Sequence, residues 1–364
     1  GASAWTYAVA WLDAFAREAV KIERFYVSPV CSPTRASLLT GRWNYRTGVV
    51  DTFIGRSMMH ADELTPAELL ASTHRRGLFG KWHLGDNYPM RAMDQGFQRT
   101  LTLKGGGIGQ PSDPPGGDHY QDPTLYRQGW PVKMKGYVTD LITDAALEFI
   151  REPGLPFFTW VAYNAPHTPL EVPEGYLQKY LDRGLPETTA RVYAMVENID
   201  TNVGRLLDAL KARALDRDTI VVFLSDNGAQ QTRYNGSLRG LKGSLFEGGI
   251  RSPFFIRWPA QLKGGRAVSG PAAHVDLLPT LLEACGQPLP ADLRLDGRSL
   301  LPLLRGDECP DREIFLQWHR GDVPEVKRSY AVVTRRWKLV GQQPKDVPLL
   351  FDLLQDPGEK SDLA

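Results

Sequence analysis

The 364-residue chain lacks a long run of either charge, an apolar stretch of membrane-span length, and more than three cysteines. Each scarcity excludes something. Lys plus Arg number 43 against 42 Asp plus Glu, so charge announces neither a nucleic-acid partner nor an anionic-membrane surface. A spanning helix needs roughly 20 apolar residues in succession, so no membrane span is expected. The amino end, GASAWTYAVAWLDAFAREAV, carries Asp13 early and has no basic leader, which does not read as an intact signal peptide. Cys31, Cys285 and Cys309 lie far apart without a CxxC pair. That spacing suggests neither a zinc knuckle nor a disulfide framework and leaves a Cys285 to Cys309 bridge open. Apolar residues make up 42% and charged residues 23%, ordinary values that argue against disorder.

What is present is a repeated pattern. Four short apolar runs stop abruptly at polar residues: RFYV (24–27) before SPVC, GLFG (77–80) before KWH, FFTWVAY (157–163) before NAPH, and IVVFL (220–224) before SDNG. Such runs suit strands buried on both faces, as in a parallel sheet. Between them, residues 188–214 repeat Val192, Met195, Val196, Ile199, Val203, Leu206, Leu207 and Leu210 at spacings of three and four, which predicts one apolar helix face. Alternation of strand and helix predicts an α/β fold with a large, mostly parallel sheet sandwiched by helices. Ligands of such sheets sit beyond the carboxyl ends of the strands, so the polar clusters should converge on one crevice. Residues 104–136, rich in Gly, Pro and Asp, read as a long irregular loop over that crevice, where Tyr120, Tyr126 and Trp130 could meet a substrate. Beyond about Cys309, short strand-like pieces predict a small antiparallel unit. The expected division is a large α/β domain over 1–308 and a small carboxyl-terminal subdomain over 309–364.

The segment SPVCSPTRASLLTGR (28–42) reads as a short helix. Pro33 suits its first turn and Gly41 the position just past its end. Cys31 and Ser32 then stand at the positive amino end, with the fixed charge of Arg35 one turn on, a setting that favours an anion. By itself, a lone cysteine is more often a small buried hydrophobe. A tyrosine-phosphatase loop does not fit, since Arg35 follows Cys31 by four residues and that loop needs six.

CSPTRASLLTGR resembles the signature of type I sulfatases, in which the cysteine of C-x-P-x-R is oxidised after synthesis to formylglycine. GKWHLG (80–85), NAPHTPL (164–170), SDNG (225–228), LKGSLFEGGIRSPFFIRWP (241–259), HVDLLPTLLEACG (274–286), LDGRSLLPLLRG (295–306) and LFDLLQDPGEKSDLA (350–364) resemble further arylsulfatase segments in the same order. The resemblance implies the alkaline phosphatase superfamily fold and hydrolysis of a sulfate ester. It implies Cys31, once converted, as the nucleophile, with Arg35 beside it. Lys81 and Lys242 would bind sulfate, His83 would contact the hydrated aldehyde as a base, and His167 would lie near the ester oxygen as a general acid. Asp226, Asn227 and the converted Cys31 would hold a divalent metal. Oxygen ligands favour a hard ion, Ca²⁺ or Mg²⁺, over zinc. A formylglycine-generating maturation enzyme is the implied partner, and export to the periplasm or cell exterior the implied location.

The resemblance breaks at the amino end. Family members begin with a buried strand ending in two adjacent aspartates, and nothing like it precedes Cys31; Asp13, Glu18 and Glu23 are expected to face elsewhere. A truncated or mis-started chain, or decay into a pseudoenzyme, would explain it. Two alternatives stay open: a catalytically impaired homologue that binds sulfated glycans, and a superfamily phosphatase or phosphodiesterase.

Overall fold

The computed structural model describes residues 9–364 apart from residues 54, 111–118, 309 and 322. Cys309 and the middle of the Gly/Pro-rich segment therefore lie outside the described residues. Thirteen strands run along the described chain. They are β1 (Val20–Tyr26), β2 (Arg75–Lys81), β3 (Arg99–Leu103), β4 (Thr124–Arg127), β5 (Trp130–Lys133), β6 (Phe157–Ala162), β7 (Val221–Leu224), β8 (Arg251–Arg257), β9 (Arg266–Ala273), β10 (Ile314–Gln317), β11 (Tyr330–Val333), β12 (Trp337–Gly341) and β13 (Leu349–Asp352).

The fold is mixed α/β with a small antiparallel sheet at the carboxyl end, as the residue pattern implies. The main sheet comes in two pieces, ordered β7-β8-β1-β9 and β5-β4-β3-β2-β6. Parallel pairing is found where the motif strands meet, at β1 with β9 and at β2 with β3 and β6. Strands β6 and β7 are half-buried along nearly their whole length instead of buried on both faces. The reason is positional: each is the last strand of its sheet and pairs along one side only. Residues 104–136 also differ from a plain loop. Thr124–Arg127 and Trp130–Lys133 form a hairpin that extends the second sheet antiparallel to β3.

Helices cover both sheet pieces. The helix Val138–Arg151 packs on β2 and β6 and against the long helix Glu187–Ala212, which also meets Ala10–Glu18. In Glu187–Ala212, Val192, Met195, Ile199 and Leu210 are fully buried, while Val196, Val203, Leu206 and Leu207 are half-buried, so the predicted stripe faces the core. Elsewhere, the helix Cys31–Thr40 packs against Leu277–Ala284. Asp13, Glu18 and Glu23 are exposed.

The carboxyl-terminal sheet, β10-β11-β12-β13, shares an apolar cluster with the body, in which Tyr26, Ile250 and Val275 meet Ile314, Val333 and Phe351. A buried ionic network pins it there. Lys338 of β12 contacts Glu247 at 2.9 Å and Glu359 at 2.7 Å, and Tyr26 donates to Glu247 at 3.2 Å, with all three charged side chains fully enclosed. No helix among the described residues is long and apolar enough to cross a membrane.

Candidate active site

Four strand ends deliver the chemistry. After β1, the chain turns directly into the helix Cys31–Thr40, so Cys31 occupies its first turn and every residue of the helix is buried. Gly41 closes it at φ 66°, donating its N–H to Ser37 at 3.0 Å, the left-handed stop expected of glycine. At the end of β2, Gly80 adopts φ 110°, and a Cβ there would lie 2.0 Å from the Ala162 carbonyl. Only glycine lets β2 and β6 approach so closely, and this sets Lys81 at the crevice. Lys81 is 2% exposed. His83 follows at φ 63°, a strained conformation for a side chain of its size and the kind of outlier found at functional sites.

The predicted residues meet. Arg35 donates Nε and Nη2 to Asp226 Oδ2 at 3.1 and 2.7 Å, and Nη1 to the Lys81 carbonyl at 3.0 Å. Asn227 donates Nδ2 to Asp226 Oδ1 at 2.7 Å. Burial pushes the Cys31 thiol up, but Lys81, Lys242 and Arg35 outweigh both that and Asp226, so the thiol lies below its ordinary value. Burial likewise raises the Asp226 carboxyl, and Arg35, Lys81 and Lys242 pull it well below the usual carboxylate range. Three cations thus surround one carboxylate and one acidified thiol. Neither Lys81 nor Lys242 has a carboxylate within ion-pair distance among the described residues. Enclosing cations without full compensation is costly unless an anion joins them, so the site is built to receive one.

The two imidazoles flank this cradle. His83 donates Nε2–H to the Thr52 carbonyl at 2.7 Å, which leaves buried Nδ1 as an acceptor without a partner among the described residues. Burial, then Lys81, holds its pKa well below the ordinary value. His167 donates Nδ1–H to its neighbour's carbonyl, Thr168, at 2.7 Å, which leaves Nε2 free of that bond. Burial, with Lys81 and Lys242, lowers its pKa too.

Sequence reasoning missed the support behind His167. Tyr120, fully buried, donates its hydroxyl to the His167 carbonyl at 2.6 Å and accepts from Asn164 Nδ2 at 2.6 Å. Asn164 stands in the NAPH motif, but nothing linear ties Tyr120 to it. Of the other aromatics singled out, Trp130 is exposed, and Tyr126 lies under Lys104 with the ammonium 4.6 Å from its ring centroid.

The described residues do not by themselves fit a calcium or magnesium site. A hard dication takes about six to eight oxygens as calcium, or six as magnesium. Asp226 and Asn227 offer side-chain oxygens, but both Asp226 oxygens already accept hydrogen bonds and three cations face them. No group of three or more His, Cys, Asp or Glu arranged for a metal occurs among the described residues.

Comparison with known proteins bears on this geometry. The family model described as "Sulfatase" matches residues 6–287, and that described as "N-sulphoglucosamine sulphohydrolase, C-terminal" matches residues 241–364. The chain is similar to the steryl-sulfatase of Mus musculus, 28% identical over 97% of this chain and 74% of that protein. It is similar to the N-acetylgalactosamine-6-sulfatase of Canis lupus familiaris, 29% identical over 97% of this chain and 76% of that protein. Among solved structures, Ps i-CgsB in complex with k-i-k-neocarrahexaose superposes with a TM-score of 0.86 at 28% identity, covering 98% of this chain and 83% of that one.

Proposed function

The chain belongs to the sulfatase family, and from that premise we propose that it hydrolyses an aryl or carbohydrate sulfate ester through residue 31, after a separate maturation enzyme converts Cys31 to formylglycine. The observation that carries this reading is Lys81, enclosed beside Cys31 without an ion-pair carboxylate among the described residues, with Lys242 and Arg35 acting on the same thiol. The names of the relatives, a steryl-sulfatase and an N-acetylgalactosamine-6-sulfatase, and the oligosaccharide bound to Ps i-CgsB support a sulfate carried on a ring alcohol, with a sugar favoured. Export to the periplasm or cell exterior belongs to the same reading.

When formed, the hydrated aldehyde supplies two hydroxyls on one carbon, one to attack sulfur and one whose deprotonation expels sulfate. The remaining work falls to the chain's own side chains. Lys81, Lys242 and Arg35 hold the nonbridging oxygens and oppose the charge that builds on them. His167 gives a proton from Nε2 to the departing alcohol, its ring fixed by the Nδ1 bond to Thr168. His83 takes a proton at Nδ1, the nitrogen its bond to Thr52 leaves open. A bound sulfate adds negative charge beside both rings and so raises their basicity above that of the free protein. Asp226 holds Arg35 in position. The donors among the described residues are too few to hold a divalent metal by themselves.

The test is product release. Protein produced alongside a maturation enzyme is expected to release sulfate from aryl or sugar sulfates, and Cys31→Ala to release none. Turnover of phosphate esters alone would replace this reading with a phosphatase. Binding of sulfated glycans without release of either product would replace it with a silent binder.

A further inference from the structure

The mouth of the site carries a second cationic surface that the reaction leaves unused. It begins on the loop that holds His83. Next to Thr52, Phe53 lies beneath two guanidiniums, Arg320 at 4.6 Å and Arg56 at 5.1 Å from the ring centroid. The carboxyl-terminal sheet supplies the opposite wall. Trp318, just after β10, donates Nε1–H to the buried Asp51 carboxylate at 3.2 Å, and its ring centroid is 5.9 Å from the Arg320 guanidinium. A Cβ on Gly243 would lie 3.4 Å from the Trp318 ring. That ring therefore rests against the residue that follows Lys242, one position from the cradle.

The two arginines differ. Arg56 donates Nη1 to the Gly321 carbonyl at 2.8 Å, which ties the Phe53 loop to the carboxyl-terminal unit. Arg320 is exposed and has no carboxylate within ion-pair distance among the described residues. Its planar fork lies on an aromatic floor, which restrains it before any ligand arrives. A guanidinium so held suits a bidentate oxyanion, and the adjoining Trp318 ring offers an apolar wall for a sugar face.

From this we infer that Arg320 holds a second anionic group of the substrate, so that the preferred substrate is a saccharide with a sulfate or carboxylate besides the ester that is cleaved. The inference rests on the cradle as the sulfate-ester site. It is tested by titration calorimetry on the full chain with Cys31 unconverted, so that nothing turns over. Three disaccharides serve as probes: one monosulfated, one disulfated, and one monosulfated with a uronic carboxylate.

The wild-type chain should prefer at least one doubly anionic probe, and which one identifies the second group. That preference, taken as a ratio of affinities, should fall about tenfold to a hundredfold in Arg320→Ala, the worth of one charge-assisted hydrogen bond. Arg320→Lys should restore part of it, since the charge returns without the fork. A ratio unchanged in Arg320→Ala, or no preference in the wild type, overturns the inference. Failure of the cradle reading shows separately, as affinity for the monosulfated probe that Lys81→Ala leaves intact. Absence of binding by all three probes overturns both.

Discussion

Replacing Arg35 with alanine tests the electrostatic frame of the cradle. Arg35 makes two hydrogen bonds to Asp226 Oδ2, at 3.1 and 2.7 Å, and a third to the Lys81 carbonyl at 3.0 Å. Breaking a buried pair by removing one partner costs about 3–5 kcal/mol, chiefly because the other charge is left uncompensated. The Asp226 side chain keeps 24% of its exposure, and Lys81 and Lys242 still face it. Solvent screening therefore lowers the expected loss to about 2–4 kcal/mol, a range that includes the donor lost by the Lys81 carbonyl. Urea unfolding followed by tryptophan fluorescence measures it, provided the slope with denaturant is unchanged. Asp226→Ala and the double variant complete a cycle, in which a coupling of at least about 1 kcal/mol is expected for residues in direct contact. A loss under about 0.5 kcal/mol in Arg35→Ala, or additive losses in the double variant, would refute the frame.

Four further outcomes follow from the geometry. His167→Ala should slow hydrolysis of a sugar sulfate about a hundredfold to ten-thousandfold and a nitrophenyl sulfate much less, since the better leaving group needs no acid; equal losses on both would remove His167 from that role. Because burial and the two lysines lower the His167 pKa, its acid form exists only below the ordinary histidine range. The kcat/KM for the sugar sulfate should accordingly decline as pH rises through that lowered value, and a profile that climbs there would contradict the assignment. Tyr120→Phe removes the hydroxyl that holds the His167 carbonyl and Asn164, and should lower kcat on the sugar sulfate about three- to thirtyfold with little change in KM; a change confined to KM would point elsewhere. His274, enclosed and bonded to Ser28 at 2.9 Å, has its pKa pushed down to about 3 by burial and Arg312. The unfolded chain binds that proton at about pH 6.5, so the stability from neutral His274 is complete above that value and is lost as pH falls toward 3. Melting curves should show this slope, and His274→Asn should flatten it; an unaltered slope would refute the linkage.

The parts legible in the sequence are those in which a short motif fixes its own geometry. A Pro and a Gly bracket the Cys31 helix, and β2 and β7 end at the KWH and SDN turns, so linear order alone names the residues that belong together. What stays hidden depends on long-range pairing. Nothing in FFTWVAY or IVVFL reveals that β6 and β7 are terminal strands with half-exposed side chains. The hairpin Thr124–Arg127 and Trp130–Lys133 is obscured by the Gly, Pro and Asp that surround it. Tyr120 and Trp318 reach the site from segments 44 and 76 residues distant from Asn164 and Lys242 in sequence, with no motif to mark them.

We propose above all that residue 31 becomes an aldehyde inside a ring of cations. The direct measurement is the mass spectrum of the peptide spanning residue 31, taken from protein produced with and without a maturation enzyme. The expected result is the mass of formylglycine in the first sample, an unaltered cysteine in the second, and sulfate release only by the first. A thiol that stays unmodified in both, or sulfate release that is the same with the thiol intact, would contradict it.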